Sequence, residues 1–489
     1  MPIRKRVVCG LLIGFLLLIS AGGASRGTRA GGPFPPNVHP AVIRQIQAAP
    51  GDRVRVIVSK GQGVEGVEQA AAEIGADITA RWTIIDAFAA ELPGNRVAAL
   101  ARLPGVKAVL SNSPVARTSN GSSGAGQSDP ALPYVMAVKA HHMWNDGFTG
   151  TGMTVAVVDS GIIQGEAGPT DFGSRVLAQV AVNPNTTTPA DGYGHGTHVA
   201  AIIGGDGQNS GGSYKGVAPG VNLVSVKFGD DQGNATEEEL INALQWVYDH
   251  RESYNIRVAN ISALVANAVS YTESPTDAAV EQLWLSGVVV VVAAGNYGTD
   301  PCAVCYPPAN DPYVISVGAI DDNNTAILSD DFMKEWSSRG TTQDGFVKPD
   351  LVAPGARIVA YMPAGLLREV RPENVVDTHY FHMGGTSMSA PVVSGVVALL
   401  LQARPELSPD QVKWLLQATA RSYESQPEGT PGIVDAHGAY EYKKTVESAN
   451  QGLTPSPLLD PSTGTIDYSN TLWGNTLWGN TLWGHTFEY

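Results

Sequence analysis

Val288-Val289-Val290-Val291-Val292-Ala293-Ala294-Gly295-Asn296 is a run of β-branched residues that gives way to small ones and ends on an amide. No polar residue alternates with the valines, so a strand here is buried on both faces, as in a parallel sheet. Similar runs stand at 154–158, 223–226, 258–261 and 314–317, separated by stretches of helical spacing. The alternation over 133–442 predicts an α/β domain whose parallel sheet is covered by helices on both faces. Such a sheet places functional side chains in the turns beyond the carboxyl ends of its strands.

Four residues at such positions carry the parts that peptide-bond hydrolysis at neutral pH needs. These are a nucleophile, a base to take its proton, a carboxylate to orient the base, and donors for the oxyanion. Asp159 follows Thr154-Val155-Ala156-Val157-Val158 and precedes Ser160-Gly161, where a strand end fixes its carboxylate. His195 lies in Gly194-His195-Gly196-Thr197-His198, at the start of a helical run, and can offer one ring nitrogen to a hydroxyl and the other to a carboxylate. His198 reads as structural, since no H-E-x-x-H supports a metallopeptidase. Ser387 stands in Gly384-Gly385-Thr386-Ser387-Met388-Ser389-Ala390-Pro391, ahead of an apolar helix whose N-terminal N–H groups face a developing oxyanion. Asn296 can donate its side-chain amide beside them. Each has a plainer reading by itself: a turn aspartate, a packed histidine, a helix cap and an Asn-Tyr-Gly turn.

The 489 residues bound what else is possible. Hydrophobic residues make up 43% and charged ones 16%, a folded chain and not a disordered one. A formal net charge of -15 and a pI near 5.1 argue against nucleic acid as a partner, because its phosphates would meet a surface of their own sign. Of three cysteines, Cys9 falls in the first apolar run, which leaves Cys302 and Cys305 as a C-x-x-C pair. In an oxidising exterior the pair reads as a disulfide across a small loop. Free thiols come next. A metal half-site is least supported, as no second pair or nearby histidines complete four ligands.

The flanks divide into further segments. Arg4, Lys5 and Arg6 precede the apolar run 7–19 and then Ala21-Gly22-Gly23-Ala24, which predicts a cleaved secretory signal over 1–24. An uncleaved membrane anchor is the alternative, and no other stretch reads as long and apolar enough to span. Residues 25–50, rich in Gly, Pro and Ala without an apolar period, read as a linker with little structure. Over 51–115 the order is β-α-β-β-α-β, that of a ferredoxin-like fold. Residues 116–132 are polar and Gly/Ser-rich, an exposed joint open to cutting. A Pro-containing linker is expected over 443–469, and over 470–489 the unit Asn-Thr-Leu-Trp-Gly recurs from Asn470, Asn475 and Asn480.

The order Asp, His, Ser is the subtilisin order, and the stretches around the three resemble the subtilase family. Matching stretches are Val157-Val158-Asp159-Ser160-Gly161, His195-Gly196-Thr197-His198-Val199-Ala200, Ala294-Gly295-Asn296 and Gly385-Thr386-Ser387-Met388-Ser389-Ala390-Pro391. Lys215-Gly216-Val217-Ala218-Pro219 and Lys348-Pro349-Asp350-Leu351-Val352-Ala353-Pro354-Gly355 are family-like as well. The resemblance implies a secreted serine endopeptidase acting through an acyl-enzyme on Ser387, made as a precursor whose 51–115 unit is an inhibitory propeptide. It implies extended polypeptide substrates lying between Ser262-Ala263-Leu264 and Ala293-Ala294-Gly295, with no cofactor for the chemistry. Many relatives bind structural calcium, yet 206–214 has no carboxylate cluster, so no calcium ligand is named.

Two departures from the pattern stand out. The family usually has Ser-Leu-Gly where this chain has Ser262-Ala263-Leu264, which puts specificity carried over from relatives in doubt. Cys302 and Cys305 fall in the loop leading to Tyr306-Pro307, near the S1 floor in relatives. Two other functions fit the same residues: a surface-binding protein with an idle protease fold, and a transpeptidase passing the acyl group to an amine. For the first, Trp473, Trp478 and Trp483 supply aromatic faces for polysaccharide or a cell surface, and a plain extension is the other reading of that tail.

Overall fold

The computed structural model describes residues 34–459 apart from 50, 62–63, 118, 121–131 and 164–168. The expected signal and the Trp-Gly repeats lie outside the described residues. At the centre is an eight-stranded sheet. Seven strands run parallel in the spatial order Val176–Ala181, Asn222–Lys227, Thr154–Asp159, Ile256–Ile261, Val289–Ala293, Ile315–Asp321, Leu351–Pro354. Phe332–Met333 adds a short antiparallel edge. Every residue of Thr154–Asp159 and Val289–Ala293 is buried, as their uninterrupted apolar runs require. Helices His195–Gly204 and Thr386–Ala403 pack together against the sheet, and Glu237–His250 and Pro275–Leu285 form a second such pair. Thr386–Ala403 is itself long and apolar enough to cross a membrane, contrary to the sequence expectation, but it is buried in the protein core.

The small N-terminal domain has four antiparallel strands, Arg53–Lys60, Asp77–Trp82, Ala87–Pro93 and Val106–Ser111, in the order second, third, first, fourth. Alternation along a strand sends successive side chains to opposite faces. Val54, Val56 and Val58 therefore enter the domain's own core, whereas Ile57, Ala87, Ala89 and Leu110 join the core of the large domain. The helix Glu237–His250 receives that second face. Trp82 Nε1 donates to Asn242 Oδ1 at 2.7 Å, and Gln245 Oε1 accepts from the backbone of Thr83 and Ile84 at 2.8 and 3.0 Å. At the start of the same helix, Asn112 Oδ1 and Ser113 O accept from the N–H groups of Glu238 and Glu237, satisfying donors that a helix leaves open.

Two expected linkers are structured. Within 25–50, Pro40–Ala48 is a helix that buries Val42 and Ile46 on the small sheet. A single i, i+4 pair was too little to register as a period. Over 443–469, the chain as far as Leu459 straps across the large domain. Asn450 Nδ2 donates to Tyr313 O and Asp410 Oδ1, Tyr313 and Tyr271 donate to the carbonyls of Leu453 and Thr454, and Ser456 N donates to Glu281 Oε2. Irregular backbone held by single hydrogen bonds leaves no sequence pattern.

Under this strap Asp277, Glu281 and Asp311 are buried together. Burial and then the charge of Asp311 push the carboxyls of Asp277 and Glu281 well above the usual range, and burial pushes Asp311 up to about 6 despite Lys348. An acid whose folded pKa is raised contributes fully below its unfolded value, about 4, and that contribution is lost as pH rises through the folded value. Both oxygens of Asp277 lack hydrogen-bond partners among the described residues. Asp277→Asn is therefore expected to be more stable than the parent at pH 8 and to gain little at pH 4. Urea unfolding at both pH values, on a Ser387→Ala background, checks this; an equal shift at both would rule out the titration.

Candidate active site

In the strand order the first strand of the large domain, Thr154–Asp159, separates strands added to its two sides. The crevice beyond the carboxyl ends of Thr154–Asp159 and Ile256–Ile261 is the topological switch point of the sheet. Asp159 ends the first of these strands, Ser262 follows the second, and Asn296 lies three residues beyond the neighbouring strand Val289–Ala293. His195 and Ser387 are the first and second residues of their helices.

Asp159 and His195 meet: Nδ1 of the ring lies 2.8 and 3.0 Å from the two carboxylate oxygens, and both residues are buried. Ser160 N also donates to Asp159 Oδ1 at 2.8 Å. A carboxylate at Nδ1 keeps the proton on that nitrogen and leaves Nε2 as the base. Among the described residues Nε2 has no hydrogen-bond partner. The Ser387 hydroxyl instead donates to Ser262 O at 3.0 Å, so the base and the hydroxyl are not joined in this structure. Ser262 Oγ returns a bond to Ser387 O at 3.1 Å and accepts from Asn260 Nδ2, whose Oδ1 accepts from Ser394.

Asn296 is anchored by its carbonyl end. Its Oδ1 accepts from Thr386 N and Thr386 Oγ1 at 3.1 and 3.2 Å, which makes Nδ2 the donor end of the amide at the start of the Ser387 helix. His198 is fully buried, with its Nε2 at 2.9 Å from Phe381 O, and burial pushes its pKa down to about 3. It is a neutral packing group.

Ala263–Val265 is a short strand, and the chain's own Val115–Arg117 pairs with it antiparallel, Leu264 opposite Ala116. Ser119–Asn120 pairs with Gly384–Gly385 on the other side of Ser387. Residues 116–132 thus begin not as a loose joint but as backbone drawn into the crevice. Across from Ala263–Val265 lie Ala293, Ala294 and Gly295, with the two alanines fully buried. Cys302 and Cys305 form a disulfide in the following loop, where the rings of Tyr297 and Tyr306 stand 4.9 Å apart.

The residue that sequence reasoning missed is Asp191. It is buried, and Oδ1 accepts from Ser160 Oγ, Tyr193 N and Gly194 N while Oδ2 accepts from Thr197 N and Thr197 Oγ1. Ser160 Oγ in turn accepts from Gly196 N. One carboxylate thus ties the turn after Asp159 to the helix start that carries His195. Its position four residues before His195 was the available signal, but an Asp ahead of a Gly-rich turn reads first as a turn residue.

Asp206 is the one carboxylate in the segment considered for calcium. The Asp206 carboxylate accepts from Gln208 N and faces Arg175 at 3.5 Å, and among the described residues no group of three or more His, Cys, Asp or Glu is arranged to hold a metal.

Residues 150–448 match the model of the subtilase family, Peptidase S8. The chain belongs to that family. It is 40% identical over 275 residues to the serine protease AprX of Bacillus subtilis, covering 55% of this chain and 61% of that protein. With subtilisin E of the same organism it shares 33% over 294 residues, 59% of this chain and 66% of that one. The chain therefore spans just under two thirds of the length of these relatives. In fold it resembles fervidolysin of Fervidobacterium pennivorans, a keratinolytic enzyme related to subtilisin, with a TM-score of 0.62, 24% identity, and coverage of 80% of this chain and 61% of that one.

Asp191→Ala leaves four buried donors and the part-buried N–H of Tyr193 without their acceptor, each buried one costing about 1–3 kcal/mol when unsatisfied. Stability of the Ser387→Ala background is expected to fall by at least about 3 kcal/mol in urea unfolding. A loss below about 1 kcal/mol would mean that other contacts hold the turn to the helix.

Proposed function

We propose that this subtilase is a secreted serine endopeptidase made as an autoinhibited precursor, with Asp159, His195 and Ser387 as its triad and Asn296 as an oxyanion donor. The observation that carries this is the chain's own backbone, paired on Ala263–Val265 by Val115–Arg117 and on Gly384–Gly385 by Ser119–Asn120. A polypeptide held on both sides of a serine is a substrate in place.

The chemistry follows from the positions. The Ser387 hydroxyl turns from Ser262 O to His195 Nε2, which takes its proton as Oγ attacks the carbonyl carbon. Asp159 stabilises the imidazolium through Nδ1. The oxyanion is met by Asn296 Nδ2 and the backbone N–H of Ser387 at its helix start. The imidazolium then protonates the leaving amine, and water repeats the sequence on the acyl-enzyme.

The bond we assign to the first cut is Thr118–Ser119. Arg117 pairs with Ala263, and Ser262, the residue before Ala263, receives the Ser387 hydroxyl at its carbonyl, which supports a cut one residue beyond Arg117. That cut leaves Ser119 as the new N-terminus. The small domain then remains on the Glu237–His250 helix as an inhibitor. The basic triplet and apolar run at the N-terminus support secretion, as does the disulfide, which suits an oxidising exterior.

The test compares the precursor with its Ser387→Ala form by intact mass, N-terminal sequence and hydrolysis of an unstructured protein. The first is expected to begin at Ser119 and the second to stay whole, with hydrolysis lower by about a million-fold, the scale of the same loss in subtilisin. Asn296→Ala is expected to cost about 10²–10³ in kcat. Cutting at Ser119 in both forms would assign the cut to another protease. A processed form without hydrolysis would favour the idle-fold binding protein.

A further inference from the structure

Leu264 occupies the space where the side chain before the cut bond would go. In an antiparallel pair, residues directly opposite each other project to the same face, and so do residues two apart on one strand. Leu264 stands opposite Ala116, so their side chains share a face, and on an extended substrate bound in the register of Val115–Arg117 the residue before the cut bond, two beyond the position of Ala116, projects to that face as well. That face looks toward Ala293-Ala294-Gly295. Leu264 is 1% exposed, and its Cδ1 lies 2.9 Å from where a β-carbon on Gly295 would stand, so the leucine reaches the opposite wall. Gly295 has a φ of +107°, a region that disfavours any larger residue, and a β-carbon there would also meet Ser338 Oγ at 2.8 Å, so this wall has no room for a side chain of its own. In the loop that follows Gly295, Cys302 and Cys305 form a disulfide and the rings of Tyr297 and Tyr306 pack together.

We infer that Leu264 fills the pocket for the residue before the scissile bond and restricts the enzyme to small side chains there: Gly, Ala, Ser and Thr. This rests on the endopeptidase reading. A leucine and an aromatic ring cannot share a slot between two backbone segments at the density of a protein interior, and overpacking of this kind is strongly unfavourable. The chain's own joint agrees, because position 118 is a threonine.

The experiment uses the matured enzyme and fluorogenic peptides Val-Ala-Arg-X, with X as Ala, Thr, Leu, Phe or Tyr, following the chain's own residues 115–117. Peptides with Ala and Thr are expected to exceed those with Phe and Tyr in kcat/KM by at least about 100-fold, near the upper range for steric discrimination in an apolar pocket. Leu264→Gly is expected to shrink the Ala-to-Phe ratio by at least about tenfold. Leu264→Ala, which disturbs the backbone less, should shrink it in the same direction. Reaction with diisopropyl fluorophosphate, which places no side chain in this pocket, reports separately whether Ser387 is a working nucleophile. Labelling of Ser387 together with equal or better hydrolysis after Phe or Tyr would overturn this inference alone. No labelling and no hydrolysis by folded, matured protein would overturn the endopeptidase reading and this inference with it.

Discussion

The His195 helix and the turn after Asp159 are packed backbone against backbone, and the geometry of the site depends on that contact. A β-carbon at Gly196 would lie 2.3 Å from Gly161 O, so no other residue lets the helix start come this close. Proximity alone would leave a row of buried peptide groups without partners. Asp191 removes that penalty by accepting five hydrogen bonds drawn from both pieces, and the Ser160 hydroxyl closes the circuit to Gly196 N. The bond between His195 Nδ1 and Asp159 is the outcome of this frame and not its cause. Two aspartates with different tasks result: one faces the ring, and the other holds the ring's helix against the strand end.

On the function proposed above, the same economy of position lets a precursor be both complete and silent. The small domain gives one face of its sheet to its own helices and the other to the Glu237–His250 helix, so its docking uses apolar surface that a free domain would leave exposed. From that platform Asn112 and Ser113 cap the helix, and the chain passes straight into the strand Val115–Arg117 beside Ala263–Val265. Ser387 meanwhile keeps its hydroxyl on Ser262 O. On that reading the hydroxyl must leave Ser262 O for His195 Nε2 before the reaction begins.

Much of this was legible in the residues. The strands 154–159 and 289–293 declared themselves because their middles are unbroken apolar runs, the pattern of a strand buried on both faces. Asp159, His195, Asn296 and Ser387 could be picked out because each follows or opens an element whose end the sequence marks with glycine or small residues. What stayed hidden lacks a period. Pro40–Ala48 buries only two residues, the strap to Leu459 is irregular, and Asp191 acts through contacts at separations of 2 to 31 residues that no local window joins. The departure at Leu264 was visible as an odd letter, but its direction needed the register of the paired strands to become meaningful.

The buried acids under the strap show the limit of reasoning from function alone. Asp277 and Glu281, on the Pro275–Leu285 helix, are buried with Asp311, and the charge of Lys348 opposes the rise at Asp311. Groups with pKa values moved this far often mark active sites, because the same burial tunes catalysts. Here two of the three carboxyls bond structural partners: Glu281 takes Ser456 N from the strap, and Asp311 takes Tyr313 N from the loop before the next strand. Neutral carboxyl groups can be stored in a core where carboxylates cannot, and a protein that packs them below an extended strap gains a fold that tightens toward mild acid. The catalytic crevice is governed by a different rule. Its aspartates, Asp159 and Asp191, are matched by donors from backbone, hydroxyl and ring, and this matching fixes where their oxygens stand.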